Sequence, residues 1–339
     1  MGQAMCVRKI CNRLVRIVGP LAITVLLCSG AGSDPCRSGT PDQRIAGCSM
    51  WLDALQRQTT DPAGQAGNLS FAYLNRAGAY LAKGDQEHAF ADYDRAIESS
   101  GEAIRLLEGM DQFRALFYAN RSSAYFSKGD IDHALADADE ATRLVPTDMA
   151  FLSLRGDAYA TKGDYDHAIA DFDRVIAMDP RLRDGDMFIK RGSAYAAKGN
   201  YDQAIADANQ ADRIRSKGAA THELLGVAYR GKGDYQRATR ELDTALGLVR
   251  NSPYRPTRLV ERGHSYAARG QYALAIQDYD AALSLSPRNA EALYGRGIAK
   301  QKNGDQASGA ADVAAAREID PDVSDAIAKS GVIRLTFTR

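Results

Sequence analysis

His88, His133 and His167 each stand four residues after a glycine in a phrase that recurs along the chain. Imidazoles copied to one place in successive helices could ligate a metal. Packed helices lie about 8–10 Å apart, however, and no cysteine or recurrent Glu-x-x-His accompanies the three. They read instead as a surface residue copied with its repeat, while His222 and His264 are isolated. The aspartate runs, such as Asp164, Asp166, Asp171 and Asp173, lack calcium-loop spacing and read as helix caps and a solvated face. There is no glycine-rich phosphate loop, nucleophile elbow or HExxH. The expectation is a chain with no catalytic residues, no cofactor and no metal. Cys36 and Cys48, twelve apart, read as a local disulfide. The alternative, a redox or metal pair, lacks CxxC spacing and a second pair.

What must position such residues is a repeat. Ala-Tyr, two residues, then Lys-Gly-Asp occurs at Ala79–Asp85, Ala124–Asp130 and Ala158–Asp164, and with asparagine at Ala194–Asn200. Looser copies continue the series. The turn glycines Gly84, Gly129, Gly163, Gly199, Gly233, Gly270 and Gly304 are mostly 34–37 residues apart. Such a period means stacked helical hairpins, none able to bury its apolar face alone, and the unbroken repeat implies one elongated stack. In Ala150–Pro180, a first helix runs over about Phe151–Thr161. Gly163 ends it in the left-handed conformation, Asp164 caps the next helix, and Ala168, Phe172, Val175 and Ile176 form its apolar stripe until Pro180 stops it. Gln56–Asn68, polar and holding Pro and Gly, reads as a linker loop. Ser99–Phe113, an insertion of about 11 residues, reads as a lengthened helix.

Several positions recur together. A small residue early in the first helix is Ala77, Ser122, Gly156, Gly192, Gly226, Gly263 or Gly297. A tyrosine three later is Tyr80, Tyr125, Tyr159, Tyr195, Tyr229 or Tyr266, and an alanine early in the second helix is Ala89, Ala134, Ala168, Ala204, Ala238 or Ala275. This pattern resembles the tetratricopeptide repeat family. The resemblance implies an all-α, right-handed α-solenoid of seven antiparallel hairpins over residues 69–320. A disulfide-bearing cap and linker (34–68) would precede it, and a capping helix and tail (321–339) would follow. Arg76, Arg121, Arg155, Arg191, Arg262 and Arg296 precede the small position, and Asp92, Asp137, Asp171, Asp207, Asp278 and Asp312 lie eight beyond the turn glycine. Equidistant from the turn, the two should face each other as an ion pair. The other reading is two solvated charges. Both positions change together in the fifth copy, to Leu225 and Glu241.

Members of this family commonly bind a peptide or partner helix in the concave groove lined by the first helices. Here that groove would comprise Asn75, Asn120, Leu154, Asp157, Lys190, Leu224, Arg230, Glu261, His264 and Tyr294, which vary while the framework repeats. One subfamily grips a C-terminal carboxylate with lysine, asparagine and arginine. Asn120 resembles its middle asparagine, but Gly78, Ala82, Ala150 and Leu154 stand where the other grips belong, so a different extended peptide or folded partner is expected.

The chain of 339 residues balances 43 basic against 43 acidic residues, with no basic stripe, so nucleic acid is not an expected partner, nor is a small-molecule substrate. Arg8, Lys9, Arg13 and Arg16 precede the apolar run Ile17–Cys28 and the small residues Ser29–Ser33, the layout of a cleavable leader over 1–33. Its removal would leave a net charge of −4. The expectation is an exported, periplasmic scaffold for protein partners. The alternative is a membrane-anchored structural or self-associating protein, held only through an uncleaved N-terminal segment.

Overall fold

The computed structural model describes residues 36–57, 61–179, 185–214, 218–249 and 252–329. The expected leader and Pro180 lie outside these residues. Sixteen α-helices and no strands occur among the described residues. Where the unbroken period implies one stack, the helices fall into two compact units, residues 1–178 and 179–339. The boundary lies between Gly163 and Gly199, where the turn glycines are 36 rather than 34 residues apart.

The first unit holds α1 (Pro41–Leu55) and three hairpins: α2 (Pro62–Ala82) with α3 (Gln86–Leu106), α4 (Asp111–Lys128) with α5 (Ile131–Leu144), and α6 (Met149–Lys162) with α7 (Tyr165–Met178). The second holds α8 (Asp186–Ala197) with α9 (Tyr201–Ile214), α10 (Ala219–Gly231) with α11 (Tyr235–Leu248), α12 (Arg255–Ala268) with α13 (Tyr272–Leu285), α14 (Ala290–Lys302) with α15 (Gln306–Ile319), and the short α16 (Val323–Lys329). Within each unit the first helices of successive hairpins touch: α2–α4 and α4–α6 in one, α8–α10, α10–α12 and α12–α14 in the other. Neighbouring second helices stand apart, so the first helices line the inner side.

One turn design closes all seven hairpins. Each turn glycine has a φ between +72° and +102°, which an L side chain resists. The amide after it donates to the carbonyl five residues back, as in Asp130 to Tyr125 and Asp164 to Tyr159. That same aspartate then caps the next helix. Asp85, Asp130 and Asp164 accept from the amides of His88, His133 and His167. Close approach follows from small residues. A Cβ on Gly156 would lie 2.7 Å from the Phe172 ring, and one on Gly263 would lie 2.8 Å from the Tyr279 ring.

The six arginine–aspartate pairs form. Nε and Nη2 of Arg76, Arg121, Arg155, Arg191, Arg262 and Arg296 donate to the two carboxylate oxygens of the facing aspartate at 2.5–2.9 Å. The aspartates are buried. Nη1 then reaches the preceding second helix: Arg76 to Ser49, Arg155 to Asp139, Arg262 to Asp243 and Arg296 to Asp280. The solvated-charge reading is thereby set aside. The fifth hairpin, with Leu225 and Glu241, instead pairs His222 Nδ1 with Glu241 at 2.7 Å.

Two ends depart from the strict period. Helix α1 packs on α2, and Cys48 is bonded to Cys36. The linker reading of Gln56–Asn68 is corrected: α2 begins at Pro62, with Asp61 capping the Gly64 amide. Asp followed by Pro is a helix start because proline has no amide to leave unsatisfied. The extra turns of α2 pack against the lengthened α3 and against α4. Ala66, Ala103, Leu107 and Phe117 share one core, and Ser70 Oγ bonds Ser100 Oγ at 2.7 Å.

Removing one partner of a buried pair leaves an uncompensated charge. Arg155→Leu should therefore cost about 3 kcal/mol in urea unfolding followed by circular dichroism. Arg155→Leu with Asp171→Leu should cost clearly less than the single change. Equal stabilities of the wild type and Arg155→Leu would show the pair contributes nothing.

Candidate functional site

The three repeated histidines resolve into a local device. Nδ1 of His88, His133 and His167 lies 2.7–2.9 Å from the capping aspartate, and each ring stacks on the tyrosine of its own first helix at 5.0–5.1 Å. Each imidazole closes one turn. In the fifth hairpin Arg237 takes this position, bonding Asp234 and lying 4.5 Å over the Tyr229 ring. No cluster of three or more metal-ligating side chains occurs among the described residues.

The expected groove residues separate into two groups. Asn75, Leu154, Asp157, Lys190 and Glu261 are half-buried on first helices. Asn75 Nδ2 donates to the Phe71 carbonyl, and Leu154 leans on the core of Ala115, Ala141 and Phe151. Asn120, Leu224, Arg230, His264 and Tyr294 are buried, which corrects the expectation that they present open side chains. Asn120 donates to Ser70 on α2, Leu224 packs in the core of α9 and α10, and Tyr294 belongs to the core of the last hairpins. Successive first helices approach closely enough to cover positions that the repeat alone assigns to solvent.

Arg230, Glu261 and His264 meet in a polar network across α10, α12 and α14. Arg230 Nε donates to Glu261 at 2.8 Å, and Arg258 Nε donates to Glu223 at 2.7 Å. His264 Nδ1 lies 2.7 Å from the Tyr279 hydroxyl, and Nε2 lies 3.1 Å from Glu291. The Tyr279 hydroxyl and Nδ1 share one hydrogen bond, and Nε2–H donates to Glu291. Burial pushes the Tyr279 hydroxyl well above its ordinary value, with the charges of Glu291 and Glu261 adding to it. Burial also pushes the Glu291 carboxyl up, but the His264 hydrogen bond and the charges of His264 and Arg230 outweigh it, leaving Glu291 below the usual carboxylate range.

Two arginines in the network lack full pairing. Arg230 and Arg258 are 3% and 4% exposed, and Nη1 of each is buried without a hydrogen-bond partner. Arg258, Glu223 and Tyr279 were missed from sequence, although Arg258 carries a signal. Five residues before the early small position, the other hairpins place Ala72, Phe117, Phe151, Met187, Thr221 and Ala292. A guanidinium there departs from every other copy.

The comparisons with known proteins agree with this architecture. Tetratricopeptide repeat profiles match residues 72–102, 119–183 and 189–256, and a TPR repeat profile matches 263–304. The chain is similar to the photosystem I assembly protein Ycf3 of Acaryochloris marina, 29% identical over 99 residues. That match covers 29% of this chain and 60% of the relative, so the chain spans less than two thirds of its length. A tetratricopeptide repeat protein from Parabacteroides merdae superposes with a TM-score of 0.59 at 17% identity, over 77% of this chain and 98% of that one. The APC/C hetero-tetramer Cut9–Hcn1 superposes at 0.62 and 15%, over 95% of this chain and 58% of the other. At such identities these structures share the fold alone.

Tyr279→Phe removes the hydrogen-bond partner of His264 Nδ1 inside the core and should cost about 1–2 kcal/mol in urea unfolding; an unchanged midpoint would remove the hydroxyl from the network. His88 and Asp85 predict a pH dependence. The Asp85 hydrogen bond and charge raise the His88 imidazole, while the bonds from His88 lower the Asp85 carboxyl. A raised imidazole contributes below its unfolded value and is lost as pH climbs through the folded one. A lowered carboxyl contributes above its unfolded value and is lost as pH falls through the folded one. An NMR titration should give His88 a midpoint above the ordinary imidazole value that falls back in Asp85→Asn. A midpoint unchanged by that substitution would remove the carboxylate as its cause.

Proposed function

The chain belongs to the tetratricopeptide repeat family, whose members generally mediate protein–protein interactions, and we propose that it is a non-enzymatic scaffold holding a peptide or protein segment against the first helices of its second unit. One observation carries this reading. Arg230 and Arg258 occupy positions that other hairpins give mostly to apolar residues, and each keeps a buried N–H unpaired. A charge buried with incomplete pairing opposes folding, so its place on the inner face is explained by what that face binds. The half-buried Glu223, Glu261 and Glu291 surround it, and Lys190 is half-buried on the first helix α8 of the same unit.

An oxidising compartment, the periplasm, suits the Cys36–Cys48 bond that ties α1 down. No helix among the described residues is long and apolar enough to cross a membrane. Attachment through residues 1–33 is the second arrangement considered.

Affinity capture from an envelope extract tests the reading, with the chain as bait beside Lys190→Glu. A discrete partner held by the first and lost by the second, at equal thermal stability, is the expected result. Identical partners on both baits would move the binding surface away from the inner side.

A further inference from the structure

A cleft of about 460 Å³ opens at the turn edge of the second unit, lined by Lys232, Gly233, Asp234, Tyr235, Gln236, Arg237 and Arg269. It lies between the turn of the fifth hairpin and that of the sixth, away from the network just described. Its charges follow from the repeat. In three hairpins the lysine before the turn glycine reaches back to an aspartate in the first turn of the preceding outer helix: Lys83 to Asp42 of α1, Lys162 to Asp132 and Lys232 to Asp202. In the sixth hairpin that cation is Arg269, and the residue in the aspartate's register is Gln236.

The other charges of the cleft are balanced. Lys232 holds Asp202, and Arg237 holds Asp234 while lying over Tyr229. Arg269 is exposed and has no acidic partner among the described residues. The departure is not isolated: Leu225, Gln236, Arg237 and Glu241 all break the pattern within this hairpin.

We propose that this cleft binds one carboxylate of a protein partner, which takes the place that an aspartate fills for Lys83, Lys162 and Lys232. Arg269 supplies the charge and the Gln236 amide a second donor. A single unpaired cation in a register built for aspartate fits a monoanion better than a phosphate. The carboxylate comes from an acidic side chain or from a C-terminus, and the two are separable by probe.

The test is an NMR titration of the full chain at low salt, following the backbone amides of Gly233 and Tyr235, which line the cleft and are present in every variant. The probes are acetyl-Glu-Glu-Glu-amide, a neutral peptide ending in a free carboxylate, and inorganic phosphate. A saturable shift with either peptide, weakened about fivefold or more in Arg269→Ala and in Gln236→Asp, is expected. Gln236→Asp keeps every cation and supplies the missing acid internally, so its loss of binding separates a filled site from a damaged one. Lys162→Ala, in a hairpin whose pair is complete, should bind as wild type. A shift from the acidic peptide assigns a side chain, and one from the free terminus assigns a C-terminus. Equal binding by Gln236→Asp and wild type would overturn the proposal. So would no shift with either peptide, or a response to phosphate at tenfold lower concentration.

Discussion

The bidentate arginine–aspartate contact, repeated six times, is the constraint around which the hairpins are arranged. A guanidinium is planar and presents its donors in a fixed fork, so two bonds to one carboxylate fix angle as well as distance. The residues packed beside it are small: alanines at the early position of each second helix except the last, and glycine or another small residue opposite. Such surfaces bring helices close but offer few shapes that would set their register. The remaining guanidinium nitrogen carries that register to the neighbour, from Arg76 to α1 and from Arg155, Arg262 and Arg296 to the preceding hairpin. Pairs of this kind specify geometry more than they add stability.

Where the fork is missing, other chemistry stands in. Between α9 and α10 the contact is made by Ala204, Ala208, Leu224, Leu225 and Ala228. The same hairpin carries Glu223 and Arg230, which pair with Arg258 and Glu261 of the next. Framework and inner face therefore depart from the repeat together. At the second hairpin, whose predecessor is lengthened, Asp94 is bonded by Lys128.

The architecture was legible because its determinants are local and copied. A glycine that must take positive φ, an aspartate that caps, and small residues where helices cross recur at fixed spacing. The ion pairs were legible for the same reason, since equal distances from a tight turn place two residues opposite each other. The early start of α2 was obscured by its polar composition, although Asp61 and Pro62 mark it. The inner face was legible only in part. Whether Asn120 or His264 meets solvent depends on what closes over it: Ser70 of the preceding hairpin covers Asn120, and Tyr279 of its own hairpin and Glu291 of the next cover His264, at 50, 15 and 27 residues away. A one-hairpin reading cannot see a neighbour's side chain.

The apolar seam between α9 and α10 also has a mechanical meaning. A fork fixes pitch by the direction of its hydrogen bonds, whereas a close-packed alanine and leucine seam fixes it by interlocking shapes. The cross-seam tether, Lys232 to Asp202, joins two exposed, flexible side chains. There the pitch between two hairpins is set by side-chain shape, with Leu224 filling the space that Gly192 leaves, whereas at the forked junctions it is set by hydrogen-bond direction.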